Sequence, residues 1–282
     1  MHCLFCKCES NNSKTKEHIV PESLGNTKNI LPAGYVCDKC NNYFSIKVEK
    51  PFFELGEIKA LRFQECIPNK SGRYQVIEGI LNDHTEVKLT RIGSDREIST
   101  SVLCESDDTI EELRQRKKGR IIFPAFLDQS KFESSTVVSR FIAKIALEAF
   151  VQRLNSVEAL DYLVNHNGLD PIREHARFGR TPNWPCSIRR VYSIQSHFRD
   201  STIQDSQILY EYDFLVINTG TNIEADKEVV SMIVFFVIAI FGLEFVINIV
   251  EPSIDGYYQW LNEHKGVSPL YFGKNEIYPK PD

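Results

Sequence analysis

Cys3-Leu4-Phe5-Cys6, then Glu17-His18-Ile19, then Cys37-Asp38-Lys39-Cys40-Asn41-Asn42 set one histidine between two Cys-x-x-Cys pairs near the start of the chain. Two such pairs offer four thiolates, enough to close a tetrahedral Zn2+ site with no open coordination position, and a closed site is structural. Its metal would staple a segment too small to fold on its own core, because binding energy at a structural zinc is folding energy. Cys3, Cys6, Cys37 and Cys40 are the expected ligands. Cys8 competes for the place of Cys6, although Cys3/Cys6 matches the spacing of the second pair. Cys66, Cys104 and Cys186 have no partner at ligand spacing and read as small buried hydrophobes.

The rest of the composition bounds the setting. At 282 residues and 42% apolar the chain can bury a real core, and it is about two domains long. A formal net charge of -5 excludes a global positive field, so any nucleic-acid backbone has to be met by local patches. The chain begins Met-His-Cys with no apolar leader pattern, so the expected compartment is the cytoplasm. Eight cysteines there favour metal over disulfides. The apolar run Val229 to Leu243 is shorter than the ~20 residues of a membrane span. It is rich in Val, Ile and Phe and is broken by Gly242 and Glu244, which predicts buried strands and no membrane segment.

The pattern predicts an α+β protein. Residues 1–52 form the Cys/His module, with a strand at Glu17–Val20, a second near Tyr35–Val36, and a helix from about Lys39 to Glu49 capped by Asp38. Residues 53–282 form a mixed domain with antiparallel strands and a few buried helices. Short alternating runs between 58 and 104 read as antiparallel strands, and the charged stretch 111–120 as a linker or a solvated helix. Apolar residues at helical spacing predict a mostly buried helix from Ser135 to Leu154. A second helix is expected at Ser156–Asn165, and a third with Asp170 as cap, Pro171 in its first turn and Gly179 at its end. Ile188–Ile194, Ile208–Ile217 and Met232–Ile249 complete the strands.

The string Cys3-x2-Cys6, Glu17-His18-Ile19-Val20-Pro21-Glu22-Ser23-Leu24-Gly25-Asn26 and Val36-Cys37-Asp38-Lys39-Cys40-Asn41-Asn42 resembles the HNH (ββα-metal) endonucleases, in the branch that carries a four-cysteine zinc frame. The resemblance covers roughly residues 1 to 50. It implies that Glu17 is an acidic ligand of a divalent ion, that His18 activates water, and that Asn41 is the second ligand. A bracing asparagine falls on Asn29 or Asn26, with Asn29 favoured because it precedes Ile30-Leu31. Asn42 competes with Asn41. A neutral imidazole, with pKa near ~6.5, can take a proton from water at pH 7. A carboxylate and an amide oxygen suit Mg2+, and the longer Glu in place of the commoner Asp widens the expectation to Mn2+. The implied substrate is DNA, with RNA as the other choice.

Outside the module, Arg114, Arg116, Lys117, Lys118 and Arg120, and Arg173, Arg177, Arg180, Arg189 and Arg190, are basic groups that either guide a nucleic-acid backbone or form a solvated surface, the latter being commoner. Arg173 and Arg177 are four apart and share a helix face. His175 and His197 read as packing or surface residues. Trp184, Tyr257, Tyr258 and Trp260 stack a base or belong to the core and its rim. The layout loosely resembles bacterial proteins with a zinc-bearing HNH module and a larger C-terminal domain, some tied to phage defence. That implies a C-terminal part supplying target recognition, an activating ligand or partner, or a homodimer contact. The competing class is a non-catalytic zinc-binding adaptor that recognises nucleic acid or a partner protein.

Overall fold

The structure is a computed structural model. It describes residues 1–26, 28–69, 71–82, 85–94, 97–104, 107–116, 119–123, 135–180, 183–192, 198–200, 203–206, 209–224 and 227–273. Helices and antiparallel sheets form an α+β protein of two compact units. One comprises Met1–Val20, Thr27–Lys50 and Gln129–Asp282, the other Pro21–Asn26 and Pro51–Asp128.

In the first unit, β1 (Glu17–His18) pairs antiparallel with β2 (Ile30–Leu31), His18 opposite Ile30. The second strand of the hairpin is therefore not at Tyr35–Val36. There the carbonyl of Tyr35 accepts from Leu4 N at 2.9 Å, which commits that stretch to the cysteine knuckle. Helix α1 (Asp38–Phe44) is capped by Cys37, whose sulfur accepts from Cys40 N at 3.4 Å. Asp38, the expected cap, instead accepts from Lys14 N, Thr15 N and Thr15 Oγ1 at 3.0, 2.9 and 2.6 Å, closing the loop before β1. The helix then widens into a π turn at Ser45–Glu49 and continues as α2 (Lys50–Glu54). The wide turn buries two successive residues, Val48 and Glu49. Such turns tend to mark functional positions.

The second unit opens with α3 (Gly56–Gln64), so residues 58–64 are helical and the strands start later. These are β3 (Val76–Leu81), β4 (Thr85–Ser94), β5 (Glu97–Leu103) and β6 (Ile121–Ile122), in the antiparallel order β5-β4-β3-β6. Strand β3 alternates exposed and buried at every residue, as a strand covered on one face must. Phe63, Ile77, Leu81, Val87 and Leu89 form the core beneath it. The charged stretch contains a helix, α4 (Asp107–Arg116).

After residue 135 the first unit resumes. Ser135 caps α5 (Thr136–Leu154), and Ser156 caps α6 (Val157–Asn165) through Ala159 N at 3.0 Å. Helix α7 (Asp170–Phe178) has Leu169 at its cap position, so Asp170 is not the cap and stands in the first turn beside Pro171, paired with Lys7 and Arg173, and the helix ends at Gly179, with φ +63°. A Cβ there would also crowd Thr136 and Arg140, so two separate reasons require glycine. The strands then follow as β7 (Ser187–Arg190), β8 (Phe198–Asp200), β9 (Ile203–Ser206), β10 (Tyr210–Glu224), β11 (Lys227–Ile240) and β12 (Leu243–Asn248), β8 and β9 pairing as a separate hairpin, and α8 (Asp255–Glu263) comes after them. The other four form one antiparallel sheet in the order β10-β11-β12-β7.

The apolar run becomes β11 and the Phe241-Gly242 turn, both turn residues at positive φ, the geometry that a tight hairpin favours. Residues 235–240 are buried because both faces of the strand are covered. Tyr192, Tyr257 and Leu270 pack on one side, and on the other Phe236 meets Phe214 and Phe214 meets Phe150 of α5, each with ring centroids 5.4 Å apart. Glu244 is a charge inside this apolar layer, compensated by Arg189 at 2.6 Å and by the hydroxyls of Tyr257 and Ser268. Among the described residues no helix is long and apolar enough to cross a membrane.

Several side chains with two readings in the sequence are core residues. Trp184 is buried and donates to Asn248 O at 2.6 Å, and Tyr257 is buried against Phe235. Arg173 does not share a solvent face with Arg177. It is 2% exposed and donates to Leu4 O at 2.9 Å, His166 O at 3.2 Å, Leu163 O and Asp170 Oδ1, clamping the cysteine knuckle to α7. His197 lies outside the described residues.

Two predictions follow from this packing. Arg173→Met removes the guanidinium donor from Leu4 O, Leu163 O and His166 O, of which the last two keep a backbone N–H partner, and should cost about 2–4 kcal/mol, read from the urea midpoint. His175 is buried against Trp184 with its Nε2 2.9 Å from Ser139 Oγ, and burial pushes its imidazole down to about 4. The unfolded chain thus takes up a proton between pH 6.5 and 4 that the folded chain refuses. Stability present above pH 6.5 is lost as the pH falls through that window, by about 3 kcal/mol. His175→Gln should remove that part of the slope when urea midpoints of the two proteins are compared from pH 7 to 4.

Candidate functional site

The cysteine frame is built from two tight turns. Cys3 N donates to Cys8 O at 2.9 Å and Lys7 N to Cys3 O at 3.0 Å, with Lys7 at φ +59°, which folds the first pair back on itself. The second pair sits where α1 begins. Together Cys3, Cys6, Cys37 and Cys40 bring their sulfurs within 4.8 Å of one another, the compass of a tetrahedral zinc whose thiolates, bound at ~2.3 Å, stand about 3.8 Å apart. Cys37 N points at Cys3 Sγ at 3.3 Å, the kind of amide support that orients ligating sulfurs. Cys8 is not part of the group; it is exposed and its thiol faces Cys6 O.

The electrostatics fit a cation at the centre. The hydrogen bond from Cys40 pulls the Cys3 thiol down to about 4, while the same contact and burial push Cys40 far up. Four thiols this close cannot all ionise by themselves, and a doubly positive ion supplies the charge that would let them.

Beside the frame stand the residues marked by the sequence. Asn41, one residue past the last cysteine, donates through Nδ2 to Lys16 O at 3.3 Å, next to Glu17. Asn29 accepts Ile19 N on its carbonyl at 3.1 Å, next to His18, and its amide donates to Tyr210 OH at 3.0 Å. Asn41 and Asn29 thus each contact the backbone of a residue next to Glu17 or His18. Asn42 is exposed, and the alternative brace Asn26 is buried within the second unit. His18 is half-buried, and Glu17 is 5% exposed.

Glu17 has a partner that its motif does not announce. Lys144 Nζ of α5 lies 2.5 Å from Glu17 Oε1, 2.8 Å from Glu49 Oε1 of the π turn and 3.1 Å from Glu148 Oε2, and it reaches His18 O at 3.5 Å. Lys144 and Glu148 are fully buried. Burial alone would lower the lysine, but the three carboxylates outweigh it and hold its pKa above the ordinary value, while burial raises Glu148. As oxygen donors, a carboxylate and an amide still suit a hard divalent ion, since an ionised carboxylate offers about four acceptor positions and one ammonium does not exhaust them.

The sequence carried an unread signal for this contact. Lys144 and Glu148 stand at i, i+4 within a helix that is apolar almost all round. A charged pair in such a helix requires buried partners. The surface of the module also differs from the chain as a whole. Lys14, Lys16, Lys28, Lys39, Lys47 and Lys50 are exposed, whereas Glu17 and Glu49 are hidden against Lys144.

Cys6→Ser should lower bound zinc below one equivalent per chain and unfold the knuckle, whereas Cys8→Ser should keep one equivalent, both read by elemental analysis of the purified chain.

The family model described as HNH endonuclease matches residues 3–54. No curated protein and no solved structure matches the chain. The matched stretch takes in both cysteine pairs, the Glu17-His18 strand and the helix that follows Cys40. Residues 3–54 thus have the make-up of a zinc-bearing HNH module, which assigns this part of the chain to a nuclease type.

Proposed function

We propose that the chain is an endonuclease that hydrolyses phosphodiester bonds of DNA, with residues 1–52 as the nuclease module and residues 53–282 deciding when or where it cuts. The observation that carries this reading is the HNH match over a stretch whose Glu17-His18 hairpin abuts Asn41 at the start of α1. His18 serves as general base, taking a proton from the attacking water. Glu17 and Asn41 would hold a divalent ion, Mg2+ or Mn2+, which when bound neutralises charge developing on the phosphate. Asn29 is the bracing residue, its backbone carbonyl accepting Ile19 N and its side-chain amide donating to Tyr210 OH. The exposed lysines of the module supply the local positive surface that a phosphate backbone needs in a chain of net charge -5. The four-thiol frame takes no part in the chemistry, since it has no open position.

One observation favours a second reading. Glu17 is buried in an ion pair with Lys144, which also suits a carboxylate that merely holds an adaptor together. Plasmid cleavage by the zinc-loaded chain separates the two. His18→Ala should lower the Mg2+- or Mn2+-dependent rate by about 10²–10⁴-fold while zinc content and melting temperature stay unchanged. A variant that cuts at the native rate removes His18 from the mechanism, and a native chain that neither cuts nor binds Mn2+ through Glu17 leaves the adaptor.

A further inference from the structure

We infer that Lys144 is a built-in cation on Glu17, a positioning residue through which α5, outside the HNH match, sets the affinity of the module for its divalent ion. This rests on the reading of Glu17 as an ion ligand.

The argument is one of charge and place. The ammonium lies 2.5 Å from the carboxylate that the ion would share, with 0% of its side chain exposed, so water does little to screen the two cations from each other. An ion bound to Glu17 meets that positive charge, and each cation weakens the hold of the other. The contact is also tethered on several sides. Glu49 pulls the ammonium toward the π turn and Glu148 pulls it along α5, so the share left on Glu17 is set by three carboxylates and not by one. Glu49 lies within the matched residues 3–54, while Lys144 and Glu148 lie about ninety residues beyond them. The C-terminal part of the chain thus reaches the carboxylate of Glu17 through Lys144. Any event that shifts α5 relative to the hairpin changes how firmly Glu17 is held.

The test is Mn2+ binding to the full, zinc-loaded chain, followed by the electron paramagnetic resonance of free Mn2+, with melting temperature and zinc content as controls. Lys144→Met combined with Glu49→Gln removes one positive and one negative group, leaving the formal charge of the cluster unchanged. It should bind Mn2+ about tenfold more tightly than the native chain. Glu49→Gln alone is the milder variant. It frees the ammonium to lean on Glu17 and should bind Mn2+ more weakly. Opposite shifts of these two variants support the inference, and an unchanged or weaker affinity in a folded double variant overturns it. If the double variant does not fold, an unchanged or tighter affinity in Glu49→Gln overturns it. Glu17→Gln separates this from the reading beneath it. If Mn2+ binding survives that change undiminished, Glu17 is no ligand and both fall; if binding is lost there while Lys144 has no effect, only the inference about Lys144 fails.

Discussion

Four sulfurs drawn into one small volume are the constraint on which the N-terminal module depends. Its strands are two residues long, and so short a hairpin has too little ladder and too little core to persist in water. The cysteines solve this by fixing the knuckle and the start of α1 to a common point, so that the Cys37 sulfur caps the helix as well as joining the frame. Asp38, released from capping, ties down the loop that leads into β1. The hairpin inherits its position from the frame on one side, and Arg173 holds the other side of the knuckle through Leu4 O.

The second organising contact is the Lys144 ammonium. Three carboxylates from three elements converge on it in a place that excludes water. Burying charge in this way is costly unless every group is compensated, so the strand, the π turn and α5 must assemble together. The π turn lies at this junction and contributes Glu49 to it, beside the buried Val48. Glu244 repeats the principle in the sheet, where one carboxylate within an apolar layer is held by Arg189, Tyr257 and Ser268. In both places a charge inside apolar sequence marks a fixed junction between elements.

Much of this was legible in the chain. The spacing of the cysteine pairs gave the frame, the helical recurrence of apolar residues over 135–154 and the Pro171 and Gly179 pair gave helices where α5 and α7 lie, and the Val, Ile and Phe content of 229–243 gave strands, while α8 (Asp255–Glu263) was not expected. These signals are local, since caps, turn glycines and ligand spacing act over a few residues. The partner strand at Ile30–Leu31 was less legible, because a two-residue strand has no periodicity to read. Asp38 was misread as a cap because sequence alone could not show that the adjacent sulfur would take that position.

The sequence by itself determined the four-cysteine frame and the α+β class, because each rests on residue type and short-range spacing. Only the tertiary structure decided which charges meet. Lys144, Glu17, Glu49 and Glu148 are separated by up to 131 residues, and Arg173 finds Leu4 across 169. Such pairings follow from how helices and strands pack, a many-body outcome that no local pattern encodes.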